Sequence, residues 1–171
     1  MSLLKSIFGE GKQRAPYVPL YRAIVERGRD PAWYRDGKVP DTLDGRFDMV
    51  AAILALTLLR LEGEGEAGRG PSVLLTEIFI DDMDGSLRQI GVGDYVVGKH
   101  VGRMMSALGG RLAAFRAARK QGAFREAVER NIFHEAPPSE TAVAFVAERL
   151  ERFAAALGDA RLEDLLAGEL P

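Results

Sequence analysis

The sequence contains no cysteine, and its only histidines are His100 and His134. A chain without cysteine can form no disulfide, no zinc–thiolate centre and no cysteine nucleophile. Two histidines are also too few for a histidine-rich metal site. We therefore predict neither a bound metal nor another cofactor.

Long hydrophobic runs are missing as well. The longest, Met49 to Leu59, is interrupted only by Thr57, and at ~1.5 Å per residue it spans about half of a bilayer core. The apolar stretch at the N-terminus is too short for a signal peptide. The sequence therefore predicts a soluble, cytoplasmic protein.

The N-terminal segment leaves one membrane role open. Its apolar residues stand beside Lys5 and Lys12, so the segment could lie on the inner membrane as a short amphipathic anchor. A frayed terminus is the alternative interpretation. The apolar residues concerned are Leu3, Leu4, Ile7 and Phe8.

A large net charge is also absent, because 23 basic and 25 acidic residues give a formal charge of -2. This balance gives no reason to expect DNA binding. The charges are nevertheless arranged in blocks: residues 86–134 carry nine basic against three acidic side chains, and residues 36–84 carry eleven acidic against four basic ones. Such blocks usually form solvated faces, and a basic surface for an anionic partner is the other interpretation.

The period that recurs along the chain is helical. Met49–Leu59 is apolar nearly all round, which is typical of a buried central helix, and residues 95–120 repeat apolar side chains at steps of three or four. No segment shows the alternation of a strand. The sequence therefore predicts an all-α, single-domain helical bundle of about seven helices over residues 17–171, after a flexible segment at residues 1–16.

The boundaries of these helices follow from capping residues and glycines. Residues 62–70 are rich in glycine and glutamate, and we expect them to form a disordered loop. A side chain that accepts a hydrogen bond from a free N–H group of the first turn favours the start of a helix. The expected N-caps are Asp41, Ser72, Asp94 and Ser139.

The segment GDYVVGKH, Gly93 to His100, nearly matches the phosphate-binding loop G-x-x-x-x-G-K-[ST]. Its interior contradicts that function, because Asp94 places a carboxylate where phosphate would lie. His100 replaces the hydroxyl that would hold magnesium, and no strand is predicted before the loop. We interpret the segment as the entrance of a helix, with Lys99 either a solvent-exposed charge or a contact to a partner.

The segment DMDGS, residues 82–86, resembles two further sites. The aspartate nucleophile loop of phosphatases needs a buried strand before it, whereas Asp81 precedes this segment. A calcium loop needs glycine at its sixth position and glutamate at its twelfth, where the sequence has Leu87 and Gly93. Neither site is predicted.

An enzyme that handles phosphate or a nucleotide stays the alternative to a non-enzymatic function. It would use Asp82, Asp84 and Lys99, which supply carboxylates and a cation within one region of the sequence. A thermal shift with magnesium nucleotide or phosphate tests this alternative, because a ligand of the native state raises the melting temperature.

Small residues line one face of the long helix predicted after Asp94. Glycine within a helix costs about 1 kcal/mol relative to alanine, so several small residues on one face need a reason. The pattern predicts that another helix packs closely there. The small residues are Gly98, Gly102, Ser106 and Gly109.

Two segments together resemble a known family. PDTLDGRFDMV (Pro40–Val50) and FIDDMDGSLRQIGVGDYVVGKHVGRM (Phe79–Met104) are similar to the hallmark sequences of the ubiquinol-cytochrome c chaperones, which are assembly factors of the respiratory bc1 complex. Leu20-Tyr21 with Ile24-Val25 is similar to the opening of that family. The resemblance covers residues 17–115, and the C-terminal third matches only in being helical.

The resemblance implies an α-helical, non-enzymatic chaperone that helps newly made cytochrome b reach the bc1 complex. Mitochondrial members act with a small helper protein and near the ribosomal exit, so a helper is an expectation here. Ribosome contact is not carried over, because His100 and Gly102 dilute the positive charge that relatives show after the Gly-Lys pair. Richness in alanine, glycine and arginine suggests a bacterial source with a GC-rich genome.

The two motifs concentrate charged side chains, for which two interpretations stay open. Buried charges must pair, so a shared ion-pair network, to which Asp81 also belongs, could join the motifs. Alternatively, some of the carboxylates with Phe79 and Met83 line an exposed groove that binds the client. The candidate partner-binding residues are Asp44, Arg46, Asp48, Phe79, Asp82, Met83, Asp84, Arg88, Asp94 and Lys99.

Overall fold

The described part of the chain is helical apart from turns and short connections. The structure, a computed structural model, describes residues 13–89, 94–134, 136 and 138–171, and these residues contain no strand. After a 3-10 turn at Ala15–Tyr17, the α-helices are α1 (Val18–Gly28), α2 (Pro31–Arg35), α3 (Leu43–Glu62), α4 (Glu66–Gln89), α5 (Asp94–Gln121), α6 (Phe124–Asn131), α7 (Glu140–Asp159) and α8 (Leu162–Leu166). The prediction of an all-α domain is confirmed.

Helix α3 is the centre of the domain. Every residue from Asp48 to Leu59 is buried, and α1, α4, α5 and α7 all pack against α3. An apolar surface on all sides is what a helix enclosed by other helices requires. The sequence-based prediction of a buried central helix over Met49–Leu59 is therefore confirmed.

One predicted N-cap, Ser139, is confirmed, and another, Asp41, is wrong. Ser139 caps α7 as expected, since its side chain accepts a hydrogen bond from Ala142 N at 3.1 Å. Thr42 rather than Asp41 caps α3, and its Oγ1 accepts from Gly45 N at 3.1 Å. Asp41 lies one residue too early for that role.

The prediction of a disordered loop at residues 62–70 is wrong. Helix α4 begins at Glu66, and only a tight turn separates it from α3. Gly65 enters the left-handed region with φ 60°, and a Cβ on Gly68 would lie 1.8 Å from the carbonyl oxygen of Leu61. These glycines therefore permit a sharp turn and a close backbone contact.

Ser72 is likewise not an N-cap, because it lies inside α4. Its Oγ donates to the carbonyl oxygen of Gly68 at 2.8 Å, and Pro71 is buried within the same helix. Pro71 is the sixth residue of the helix, so its missing N–H removes the helical hydrogen bond to the carbonyl oxygen of Ala67.

The glycine face of α5 packs against no other helix among the described residues, contrary to the prediction. Gly98, Gly102, Ser106 and Gly109 are exposed. A Cβ built on each of the three glycines meets no other atom within 4 Å. The opposite face carries the packing, since Leu108 and Phe115 are buried in the core.

Several expectations fall on residues outside this description. Leu3, Leu4, Ile7 and Phe8, the predicted membrane contact, are among them, as is the side chain of Asp94 with its predicted capping role. The flexible segment at residues 1–16 also stays a prediction. Among the described residues, no helix combines the length and the apolarity needed to cross a bilayer.

Candidate functional site

The two sequence motifs meet where the start of α3 faces the end of α4. The ring of Phe47 lies 5.9 Å from the ring of Phe79, centroid to centroid, with the planes tilted by 32°. Aromatic pairs at this distance and tilt add stabilisation beyond the area that they bury. The motifs are thus joined by an apolar contact.

The described ion pairs do not form the expected network between the motifs. In the first motif, Arg46 pairs with Asp41 at 2.6 Å on the surface, and this bond lowers the pKa of Asp41. In the second, Arg88 donates to Asp84 at 2.7 Å within α4. Both pairs are local, since their members lie four or five positions apart in the sequence.

Two aspartates of the second motif are bound by the N-terminal elements. Tyr21 donates its hydroxyl to Asp82 at 2.7 Å, and burial together with this bond raises the pKa of Tyr21. Arg14 pairs with Asp81 and, at 3.0 Å, with Glu77. The acidic end of α4 therefore anchors the segment that leads into α1.

An apolar pocket of about 140 Å³ opens between the start of α3, the end of α4 and α5. Leu43, at the first position of α3, has 59% of its surface exposed although it is a large apolar residue. Arg29, Asp44 and Arg46 lie at the polar margin. We call this surface the motif groove; its lining residues are Arg29, Leu43, Asp44, Arg46, Phe47, Val50, Met83, Ser86 and Met104.

Three of the candidate partner-binding residues line the motif groove: Asp44, Arg46 and Met83. Phe79 does not, because it is fully buried; it supports Phe47 from behind. The interpretation of Phe79 as an exposed groove residue is therefore wrong. Lys99 is exposed on α5, as is Arg103, in agreement with solvent-exposed charges.

Asp48 belongs to a different site, a buried ion pair with Arg111 of α5. The side chains are 6% and 4% exposed, respectively. Arg111 also donates to the carbonyl oxygens of Asn131 at 2.7 Å and Ala107 at 3.1 Å. His134 Nε2 lies 2.7 Å from the second carboxylate oxygen of Asp48. We call Asp48, Arg111 and His134 the buried triad, after its buried ion pair; the side chain of His134 itself is 64% exposed.

Burial opposes both charges of the buried triad. It raises the pKa of Asp48 and lowers the pKa of Arg111, and in each case the opposite charge of the partner offsets part of that effect. Arg111 Nε, moreover, is buried without a hydrogen-bond partner. The guanidinium stacks over Phe47 at 5.5 Å from the ring centroid, so the triad also holds a residue of the motif groove.

The arginine of this triad was not found from the sequence, although a signal existed. Arg111 falls between Leu108, Leu112 and Phe115 in the apolar stripe of α5. A charged residue within such a stripe predicts a buried partner of opposite charge. His134 has a left-handed backbone with φ 50°, for which the sequence carries no comparable signal.

The segments that resemble phosphate or calcium sites are helical in the structure. Residues 82–86 lie inside α4, and the described part of GDYVVGKH, from Asp94 onward, lies inside α5. A continuous helix cannot wrap its backbone around an ion or a phosphate as these loops do. Within the described ranges, no group of three or more acidic or histidine side chains is placed to hold a metal ion.

Comparisons with known proteins agree with the motifs. The family model described as Ubiquinol-cytochrome C chaperone matches residues 35–170. A crystal structure of the Cbp3 homolog from Brucella abortus superposes with a TM-score of 0.79 at 27% sequence identity, covering 98% of this chain and 94% of that one. A search of curated protein sequences returned no significant match.

Proposed function

The chain belongs to the ubiquinol-cytochrome C chaperone family, and from that premise we propose that it is a non-enzymatic assembly chaperone for the cytochrome bc1 complex, with cytochrome b as its client. The motif groove is the observation that carries the proposal. It is built from both segments that identify the family, and it exposes apolar side chains that a folded monomer would otherwise bury.

The groove suits one helix of an apolar client. Leu43 and Phe47 lie one turn apart on α3 and face Met83 and Met104 from the neighbouring helices. Methionine is flexible and polarisable, so it adapts to different apolar side chains. An amphipathic or apolar helix that lays one face into such a groove is an established mode of peptide recognition.

The polar margin of the groove supports reversible binding. Asp44 and Arg29 both line the margin, and Arg46 is held by Asp41. Charges at the rim of an interface contribute mainly to orientation and to the rate of association. A chaperone that must release its client benefits from a small apolar contact with a polar rim.

Client capture tests the proposal directly. We expect Leu43→Glu to abolish co-purification of cytochrome b from detergent-solubilised membranes and to lower the amount of assembled bc1 complex in a deletion strain. Glutamate in the first turn of α3 is compatible with the helix dipole, so the fold should persist.

Val73→Glu on α4 is the matched control. Val73 is 53% exposed, nearly as much as Leu43, and it does not line the motif groove. The control should retain both the client and normal bc1 assembly. Equal loss in both variants, or normal assembly with Leu43→Glu, would contradict the proposed groove; normal assembly in the deletion strain itself would contradict the proposed function.

A further inference from the structure

A second pocket, of about 270 Å³, lies away from the motif groove, between the end of α1, the short helix α2 and the face of α7. Its walls are aromatic and cationic. Among the described residues that line it, three are arginines and none is acidic. The lining residues are Arg27, Trp33, Arg149, Arg152, Phe153, Ala156 and Pro171.

Two of the three arginines are held in place by their neighbours. Arg149 stacks over Trp33 with its guanidinium carbon 4.6 Å from the ring centroid, and it pairs with Asp30, the N-cap of α2. Arg27 stacks over Phe153 at 5.7 Å and donates to a main-chain oxygen of Pro171. A guanidinium that is stacked and hydrogen-bonded loses little conformational freedom when it binds a ligand.

The third arginine has no such partner. Arg152 is exposed, and the described contacts give it no ion pair or hydrogen bond. Each guanidinium carries five N–H donors, so Arg27 and Arg149 also keep donors beyond those already used. Arg149 and Arg27 thus keep only the donors that Asp30 and Pro171 do not use, and Arg152 adds a guanidinium without a described acceptor.

From this arrangement we propose that Arg27, Arg149 and Arg152 form a binding site for a phosphate group. A carboxylate offers two oxygens in one plane and is satisfied by one guanidinium. A phosphate offers three oxygens in different directions, which matches donors that approach from two helices, α1 and α7. The pocket volume of about 270 Å³ is large enough to take more of an ester than its phosphate group.

Titration calorimetry with pyrophosphate tests this site. We expect saturable binding to the full chain and about tenfold weaker binding to Arg152→Ala, the loss typical of one charge-assisted hydrogen bond. Arg119→Ala is the control, because Arg119 is an equally exposed arginine on α5 without a described ion pair. Unchanged affinity in Arg152→Ala, or equal losses in both variants, would overturn the site.

Flotation with vesicles that contain phosphatidic acid identifies the source of the phosphate. Binding of the full chain and of Arg119→Ala, but not of Arg152→Ala, supports the site with a lipid headgroup as ligand. Pyrophosphate binding without vesicle binding supports it with a soluble phosphate ester. Failure of both ligands with the full chain would refute the proposal and leave the motif groove unaffected.

Discussion

Replacing Arg111 by methionine should destabilise the protein more than any exposed substitution on the same helix. Methionine keeps most of the apolar stem but removes the charge, so Asp48 is left buried with an uncompensated carboxylate. Breaking a buried pair in this way costs about 3–5 kcal/mol. The free energy of unfolding of a whole domain is only about 5–15 kcal/mol, so this substitution should remove a large fraction of it.

The structure places the cost at the lower end of that range. The carbonyl oxygen of Asn131 loses its donor at 2.7 Å, but His134 still lies within hydrogen-bond distance of Asp48 and is itself largely exposed. At about 2–4 °C per kcal/mol for a domain of this size, we expect the melting temperature to fall by about 6–12 °C.

The pH dependence of its stability provides a second test of the same variant. Arg111 now offsets part of the burial effect on Asp48, so its removal raises the pKa of Asp48 further. A carboxyl group whose folded pKa exceeds its unfolded value, about 3.9, contributes stability below that value and loses it as the pH rises through the folded pKa. The deficit of Arg111→Met should therefore be smaller at pH 4 than at pH 7.

Urea denaturation at both pH values measures these effects. Arg116→Met is the control, since Arg116 pairs with Glu62 on the surface of α5 and such pairs contribute about 0–1 kcal/mol. Adding Asp48→Asn to Arg111→Met should restore much of the stability at pH 7, because the stranded charge is gone. The reasoning fails if Arg111→Met and Arg116→Met lose the same amount, or if the deficit grows toward pH 4.

Three further predictions concern backbone geometry. His134→Ala should lower the free energy of unfolding by about 1 kcal/mol, because the bond to Asp48 is lost. His134→Gly should be more stable than His134→Ala by about 1 kcal/mol, because glycine accepts φ 50° without strain. The opposite order of the two variants in urea denaturation would contradict this account. Gly28→Ala should destabilise by about 1–3 kcal/mol, since the new Cβ would lie 2.8 Å from Val50 Cα between α1 and α3. Gly102→Ala should stabilise by about 0.5–1 kcal/mol in thermal melts because its Cβ enters open space, and a loss of stability there would mean that the exposed face is misassigned.

The sequence predicted those features that depend on local chemistry or on one apolar run. The central helix over Met49–Leu59 and the cap at Ser139 both required only neighbouring residues to be recognised. The prediction of disorder at residues 62–70 rested on their composition. Composition does not distinguish a glycine in a mobile loop from a glycine that permits a close backbone contact. Gly68 is of the second kind, since a Cβ there would lie 1.8 Å from the carbonyl oxygen of Leu61.

The lining of the motif groove was predicted in part for the same reason. Motif similarity located Asp44, Arg46 and Met83, but it could not separate residues that face the groove from those that support it. Asp48 follows Phe47 directly, yet Asp48 is buried in its ion pair with Arg111 whereas Phe47 lines the groove. Helical geometry sends adjacent side chains about 100° apart, so only the positions of α4 and α5 decide which one is exposed.

The buried triad and the motif groove are therefore mechanically connected through Phe47. Its ring is held between the guanidinium of Arg111 at 5.5 Å and the ring of Phe79 at 5.9 Å, so this wall of the groove is preformed. A preformed wall lowers the conformational cost of binding. Loss of Arg111 should then weaken client capture together with stability, whereas Leu43→Glu should weaken capture alone, and this difference separates a residue that shapes the groove from one that contacts the client.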